Sequence, residues 1–176
     1  KMVHEKILKV VTDLGSPKVM VVGDFMLDVY IYGDALRISP EAPVPVLKVK
    51  NTDYSLGGAG SVVNDLSVLG AKPFCLGVIG CDNDGQRLLS LLKETGSNIT
   101  GLLQVADRPT ISKQRLVGLA KHRHKQQLMR MDFESATPLS QEQYKLLLKE
   151  FENKMNDIDL VCLQDYNKGV FTKEIC

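Results

Sequence analysis

The sequence is poor in the features that mark membrane, secreted and nucleic-acid-binding proteins. It has no tryptophan, three histidines, four cysteines and a net charge of +1 over 176 residues. So small a net charge provides no overall field to attract nucleic acid. No apolar run approaches the roughly 18 residues of a membrane span, and the N-terminal segment has no apolar core of a secretory signal. These absences predict a cytoplasmic protein without a nucleic-acid or membrane partner.

Cysteine and histidine are too scattered to predict a metal centre. No two cysteines have the Cys-x-x-Cys spacing of a zinc or redox site, and a free cysteine in an apolar run is an ordinary core residue. His122 and His124 have no third ligand nearby in sequence, so the basic turn at 121–125 is interpreted as a solvated tip. The sequence therefore predicts neither a metal ligand nor a disulfide in this chain.

Three short apolar runs predict the strands of a buried parallel sheet. They lie at 19–22, 73–80 and 159–163 and are separated by segments with helical periodicity. This alternation is typical of an α/β protein, and 176 residues with 44% hydrophobic content suffice for one domain or part of one. The apolar residues between 7 and 14 predict a short packed helix, and 172–176 has the pattern of the first turn of another. We expect the chain to be a fragment for that reason.

Acidic residues follow two of these runs, at the edge where open α/β sheets bind their ligands. Asp24 and Asp28 come after the first run, and Asp165 comes after the third. A turn cap is an equally good interpretation of Asp24, because Asp favours turns. A solvated position fits Asp28 less well, since its neighbours are apolar and aromatic.

Prolines and glycines mark the segments around the predicted sheet. The three prolines in 37–49 exclude a central strand and favour an edge strand or an extended flap. The runs 111–117 and 127–133 flank the basic turn and predict a hairpin. The glycines in 57–60 directly precede a helical segment, where a backbone can approach a phosphate or a sugar. A plain tight turn explains these glycines equally well.

The order of the motifs resembles the N-terminal half of the ribokinase-like (PfkB) sugar kinases, and within them the heptose-7-phosphate kinases. The resemblance runs from about Val19 to Val170, and its proline-rich flap and its last motif are the most specific parts. The motifs are GDFMLD at 23–28, RISPEAPVPV at 37–46, GGAG at 57–60, GCDNDG at 80–85, RPT at 108–110, QLMRMDFE at 127–134 and DYNKG at 165–169.

The resemblance implies a three-layer α/β/α ribokinase-like fold with a small β-sheet lid. Residues 1–176 would form the N-terminal portion of a single kinase domain, with lid segments near 30–56 and 108–134 and a homodimer through the lid. It also implies transfer of the γ-phosphoryl of ATP, with Mg²⁺, to the anomeric hydroxyl of D-glycero-D-manno-heptose 7-phosphate in ADP-heptose synthesis for lipopolysaccharide. ATP and Mg²⁺ would be bound mainly by the part of the domain that this sequence lacks.

The resemblance also implies a set of substrate contacts. Asp28 would hold sugar hydroxyls beside Met26, while Gly57 and Gly58 would approach the sugar through their backbone. From their charge and their place in the hairpin, we expect Lys113 and Arg130 to reach the 7-phosphate. The full predicted set is Met26, Asp28, Gly57, Gly58, Ser61, Lys113, Arg130, Asp165 and Lys168.

Two departures from the family pattern keep other functions open. The family usually has asparagine where this chain has Ser61, which leaves the exact sugar open. The Gly-Ala-Gly-Asp motif with the catalytic aspartate and the anion hole occurs nowhere in the sequence, so no catalytic residue is expected in this chain. The alternatives are a non-catalytic sugar-phosphate-binding module and a ribokinase-like kinase for another sugar.

Overall fold

A computed structural model of the protein describes residues 2–13, 15–119 and 125–171. The predicted basic turn, except Lys125, and the predicted helix start at 172–176 lie outside the described residues. The elements in chain order are α1 (Met2–Asp13), β1 (Lys18–Gly23), β2 (Phe25–Ile38), β3 (Pro45–Gly58), α2 (Ala59–Val68), β4 (Lys72–Gly80), α3 (Asn83–Glu94), β5 (Asn98–Val105), β6 (Ile111–Gly118), β7 (Gln126–Phe133), α4 (Gln141–Met155) and β8 (Leu160–Gln164).

The strands form two sheets of four. The first, here called the parallel sheet, has the order β5-β4-β1-β8, and all its neighbours run parallel. The second, here called the mixed sheet, has the order β3-β2-β6-β7 with antiparallel outer pairs around the parallel pair β2/β6. The predicted hairpin is confirmed as β6 and β7, and the proline-rich segment leads into β3 at an edge of the mixed sheet.

Helices cover both faces of the parallel sheet, because its central strands are apolar on both sides. Val19 and Val21 of β1 face a cluster that includes Leu88 and Leu92 of α3. Met20 and Val22 face the opposite way, into a cluster that contains Leu147 of α4. The result is three layers, α2 and α3 on one side and α4 on the other, as the resemblance implies.

The helix starts are determined by local capping. Asp82 caps α3 by accepting a hydrogen bond from the amide of Gly85, and Ser140 with Gln143 forms a capping box at the start of α4. Both caps satisfy backbone N–H groups that a helix start leaves without an intrahelical partner.

Two predictions about packing are wrong. The apolar residues of α1 were expected to be packed, yet Ile7, Leu8 and Val10 are each more than half exposed. Strand β8 was expected to be buried on both faces, yet Leu160 and Leu163 are both 58% exposed. The reason for the second difference is position: within the described residues β8 is the edge strand of the parallel sheet and lacks a neighbour on one side.

Among the described helices, none is both long enough and apolar enough to cross a membrane.

Candidate functional site

The predicted site residues fall around the point where the chain passes from the parallel sheet to the mixed sheet. Asp24 is the single residue between β1 and β2, and its backbone carbonyl accepts a hydrogen bond from the amide of Ala59, 3.0 Å away, at the start of α2. Gly57 and Gly58, at the end of β3, lie opposite Met26 and Phe25 in the register of the mixed sheet. This passage brings the GDFMLD and GGAG motifs into direct contact.

Asp28 lies on β2 and is held by an arginine. Its Oδ1 accepts a hydrogen bond from Nη1 of Arg115 at 2.7 Å, and the two side chains are 21% and 18% exposed. Burial alone would lower the pKa of Arg115, but the hydrogen bond and the charge of Asp28 raise it. The guanidinium also lies 4.9 Å from the ring centroid of Tyr30. Asp28 is therefore oriented and accessible, and it is charge-paired before any ligand arrives.

Both predicted glycines are required by close neighbours. A Cβ at Gly57 would lie 2.8 Å from Oδ2 of Asp28. Gly58 has φ 54°, where glycine is favoured, and a Cβ there would lie 2.9 Å from Cγ of Met26. Met26 itself is 1% exposed, so its side chain packs beneath the site instead of opening to solvent.

Lys113 and Arg130 lie near Asp28 on the mixed sheet. Lys113 is the register neighbour of Asp28 on one side and of Asp132 on the other. Arg130 forms two hydrogen bonds with Asp132, at 2.8 and 2.9 Å, and about half of its side chain is exposed. Arg130 is also the register neighbour of Arg115. Lys113 and Arg115 on β6 and Arg130 on β7 therefore follow Asp28 across neighbouring strands, and Arg115 is the one of the three that contacts its carboxylate.

Ser61 is placed differently from the other predicted contacts. Its hydroxyl donates to the carbonyl of Leu56 at 2.9 Å. Its side chain lines a cavity of about 580 Å³ together with Asn64, Asp65 and Glu94, on the side of α2 and α3. No contact between Ser61 and Asp28 is present in the described chain. The structure thus does not place this hydroxyl beside the residues grouped around Asp28.

Asp24 organises the loop after β8. The carboxylate is fully buried, and its Oδ2 accepts hydrogen bonds from the amides of Tyr166 at 2.7 Å and Lys168 at 3.2 Å. Burial raises the pKa of Asp24, and the two amide hydrogen bonds offset only part of that rise. The sequence left open whether Asp24 caps a turn; its carboxylate instead accepts from a loop about 142 residues further along the chain.

Asp165 and Lys168 lie on that loop. Asp165 is exposed, and its Oδ1 accepts a hydrogen bond from the amide of Asn167, which has φ 58°. Lys168 Nζ lies 2.9 Å from Oε2 of Glu134, just after β7. The loop therefore connects the end of the parallel sheet to the end of the mixed sheet.

Two arginines were not among the predicted site residues, although one of them, Arg108, belongs to the RPT motif. Arg115 lies two residues after Lys113, so strand alternation places both on the same face of β6, and this spacing was a usable signal. Arg108 donates through Nη2 to the carbonyls of Ser135 at 2.9 Å and Lys168 at 2.6 Å. These carbonyls lie 27 and 60 residues away in sequence, so no local pattern could have indicated them.

No group of three or more His, Cys, Asp or Glu side chains suited to a metal ion occurs in the ranges that the structure describes.

Sequence comparisons with known proteins agree on one family for this chain. The sequence pattern described as pfkB family carbohydrate kinase matches residues 16–164. The protein named bifunctional protein HldE in Desulfatibacillum aliphaticivorans is 44% identical over 160 residues, which are 91% of this chain and 32% of that protein. Its namesake in Helicobacter pylori strain 26695 is 42% identical over 158 residues, 90% of this chain and 33% of that protein. The chain spans about a third of the length of these curated relatives.

Solved structures show the same fold at low sequence identity. A carbohydrate kinase from Agrobacterium tumefaciens superposes with a TM-score of 0.62 and 17% identity, over 84% of this chain and 45% of that one. A ribokinase from Arabidopsis thaliana, complexed with ribose and ATP, superposes with a TM-score of 0.55 and 15% identity, over 84% of this chain and 45% of that one. The fold is therefore ribokinase-like.

Proposed function

Since this chain belongs to the pfkB family of carbohydrate kinases, we propose that it supplies the sugar-binding part of a kinase that phosphorylates D-glycero-D-manno-heptose 7-phosphate at the anomeric hydroxyl. The phosphoryl donor is ATP with Mg²⁺, and the product enters ADP-heptose synthesis for lipopolysaccharide. The heptose assignment is supported by the proline-rich flap and the DYNKG motif, and by 40–44% identity to several HldE proteins.

The observation that carries this proposal is one carboxylate on β2, paired with Arg115, followed by further basic residues on the next two strands. Asp28 supplies two oxygens that accept hydrogen bonds from adjacent sugar hydroxyls, and Gly57 leaves room for the sugar to approach β3. Lys113, Arg115 and Arg130 line the next positions across β6 and β7. A substrate with hydroxyls at one end and a phosphate at the other matches this arrangement, in which the carboxylate lies on β2 and the basic residues lie on the next two strands.

Arg115 changes partner when the sugar binds, in this proposal. Without a bound sugar, Asp28 is paired with Arg115 at 2.7 Å, so a sugar hydroxyl that donates to Asp28 competes with that arginine. A nearby phosphate compensates Arg115 for the loss of its ion pair with Asp28, because arginine binds phosphate through two parallel N–H groups. Sugar and phosphate recognition are thereby coupled: each end of the substrate takes one member of the ion pair.

The chain's own residues bind and orient the sugar, and no step of phosphoryl transfer is assigned to them. ATP bound with its metal supplies the transferable γ-phosphoryl. In related kinases the general base and the anion hole belong to the Gly-Ala-Gly-Asp motif, which is absent from these 176 residues.

We also propose that the mixed sheet forms a homodimer interface. Large apolar side chains of this sheet are exposed, among them Leu36 at 73%, Ile38 at 64% and Met129 at 59%. Exposed apolar groups of this extent favour association. Light scattering after gel filtration of the complete gene product measures the oligomeric state. Leu36→Asp is expected to shift a dimer toward the monomer.

The function is tested by ADP release from the complete gene product. We expect kcat/KM to be highest for heptose 7-phosphate among heptose 7-phosphate, free heptose, fructose 6-phosphate and ribose. The 176-residue chain, assayed alongside, is expected to release no ADP above the blank, because base and anion hole are both missing and one oxyanion donor alone is worth about 10²–10³ in rate. Turnover by the short chain would show that the catalytic groups have been assigned to the wrong part. Sugar binding without turnover by the complete product would favour a non-catalytic binding module.

A further inference from the structure

Asp24 and Arg108 both hydrogen-bond to the 165–169 loop, and neither is one of the predicted substrate contacts. Asp24 lies between the two sheets, and its Oδ2 accepts from the amides of Tyr166 and Lys168. Arg108 lies between β5 and β6, and its Nη2 donates to the carbonyl of the same Lys168 at 2.6 Å. One residue of the loop is thus held through both its N–H and its C=O.

Arg108 also ties this loop to the root of the mixed sheet. Its Nη2 donates to the carbonyl of Ser135, two residues after β7 ends. Lys168 repeats the connection with its side chain, through the 2.9 Å ion pair to Glu134. The strands that carry Lys113 and Arg130 are therefore joined to the loop that carries Asp165 by Arg108 and Lys168.

Each of the two charges also has one buried atom without a partner in the described chain: Oδ1 of Asp24 and Nη1 of Arg108. Removing a charged group from water costs free energy unless it is fully paired, and an apolar pair is often as stable. Stability alone thus gives little reason to place two partly unsatisfied charges here. Each charge lowers the cost of the other, since Arg108 stabilises ionised Asp24 and Asp24 stabilises protonated Arg108.

We propose that Asp24 and Arg108 are positioning residues, which together hold the 165–169 loop so that Asp165 and Lys168 face the sugar beside the mixed sheet. The inference rests on the proposed function, because it takes the loop to be part of the sugar site. Neither residue touches the substrate. A change at Arg108 acts on the sugar through the loop, and leaves the contact made by Asp28 intact.

The first test is hydrogen exchange by mass spectrometry on the complete gene product. In Arg108→Ala, the peptide with the amides of Tyr166 and Lys168 is expected to exchange at least about tenfold faster, while peptides from β1 and β4 keep their rates. Arg108→Lys retains the charge near Asp24 but cannot donate to two carbonyls from one planar group, so we expect it to loosen the loop as well. Arg108→Lys also remains informative where Arg108→Ala does not fold. Unchanged exchange of the loop in the folded variants would overturn the proposal.

The second test is a pair of double-mutant cycles on sugar-phosphate affinity, measured by calorimetry. Asp165→Asn is expected to weaken binding about tenfold in the parent protein and less than about threefold in the Arg108→Lys background, because the carboxylate is no longer held in place. Asp28→Asn is the matched control and is expected to cause the same loss in both backgrounds. Additive losses at Asp165 would overturn the proposal.

The two cycles separate this inference from the proposed function. If Asp165→Asn has no effect while Asp28→Asn weakens the sugar, the sugar site stands and the positioning role is wrong. If neither change weakens the sugar, the proposed site itself is wrong and the inference is overturned with it.

Discussion

The central strands of the parallel sheet and the outer strands of the mixed sheet differ strongly in how far they are buried. In the parallel sheet, β1 is buried from Val19 to Gly23 and β4 from Pro73 to Gly80. In the mixed sheet, all of β7 except Met131 is exposed, and most of β3 is exposed as well. Burial of one large apolar side chain stabilises a fold by about 1.5–3 kcal/mol. We infer that the parallel sheet holds the fold together and that the mixed sheet supplies recognition.

Because the buried strands of the parallel sheet stabilise the fold, the mixed sheet can carry a polar site. The ion pairs of the mixed sheet at Asp28 and Arg130 are partly exposed, so they add little to stability. Strand β2, which carries Asp28, continues directly from the buried strand β1 through Asp24.

The largest contrast is expected between two isoleucines. Ile79 of β4 is 1% exposed, whereas Ile38 at the end of β2 is 64% exposed. Ile79→Ala is expected to lower the free energy of unfolding by about 2–5 kcal/mol, because it leaves a cavity in the core. Ile38→Ala is expected to change it by less than about 0.5 kcal/mol. Hydrogen exchange of the slowest β1 amides in the complete gene product measures both, and equal losses would contradict the division of roles.

The second change separates the two acids that follow β1. Asp28→Asn is expected to weaken heptose 7-phosphate binding more than Asp24→Asn, since hydrogen bonds to a charged group contribute about 1.5–3 kcal/mol. Asp24 is fully buried and acts only on the 165–169 loop, so the loss of affinity in Asp24→Asn is expected to be smaller. Calorimetry on both variants of the complete product gives the ranking. A larger loss at Asp24 would mean that Asp28 does not hold the sugar.

The third change concerns the basic residues of the mixed sheet. Lys113→Ala and Arg130→Ala are expected to weaken heptose 7-phosphate by about tenfold or more and free heptose by much less, because the lost contact is charge-assisted. Arg115→Ala serves as the comparison, since it also releases Asp28 and should affect both sugars. Competition binding of the two sugars distinguishes these results. An equal loss for both sugars at Lys113 and Arg130 would show that they shape the sheet and do not recognise the phosphate.

The smallest expected effect lies at the junction of α3 with β6. Burial alone would raise the pKa of Asp82, but hydrogen bonds from Thr110 and Gly85 outweigh it and lower the pKa below its ordinary value of 3.8. The ionised form is therefore favoured in the folded state. Its contribution is present above pH 3.8 and is lost as the pH falls through the lower folded-state pKa.

Asp82→Asn is accordingly expected to cost about 1–2 kcal/mol at pH 7, and this cost is expected to fall as the pH drops below 3.8 and through the lower folded-state pKa. Asparagine keeps the helix-capping oxygen, so the difference isolates the charge. Exchange of the α3 amides measured across this pH range tests the sign. A cost that stays constant with pH would show that the charge is not what matters at this position.

Local patterns were sufficient for most of the fold. The apolar runs predicted β1 and β4, the helical periodicity between them predicted intervening helices, and the runs around the basic turn predicted β6 and β7. Strand β5 was missed because Asn98, Thr100 and Gly101 give it no clear apolar alternation, and it is a strand through its parallel pairing with β4. The lengths of β2 and β3 were also underestimated, since 14-residue strands depend on pairing with each other.

Of the candidate site, the sequence indicated the residues but not their partners. That Asp28 would be paired with Arg115, 87 residues away, depends on the parallel register of β2 and β6. The placement of Ser61 toward the cavity beside α3 depends on how α2 packs, which a motif does not specify.

The sequence alone determined the family, the α/β class and the residues that carry charge, because these follow from composition, from the period of apolar residues and from the order of motifs. Only the tertiary structure decided that Asp24 is a buried anchor and not a surface acid, and that Arg108 holds the same loop. The physical reason is that hydrogen bonds between segments more than fifty residues apart arise only when both sheets have formed. Local sequence records which groups are available for them, and the packing of the two sheets selects the pairs.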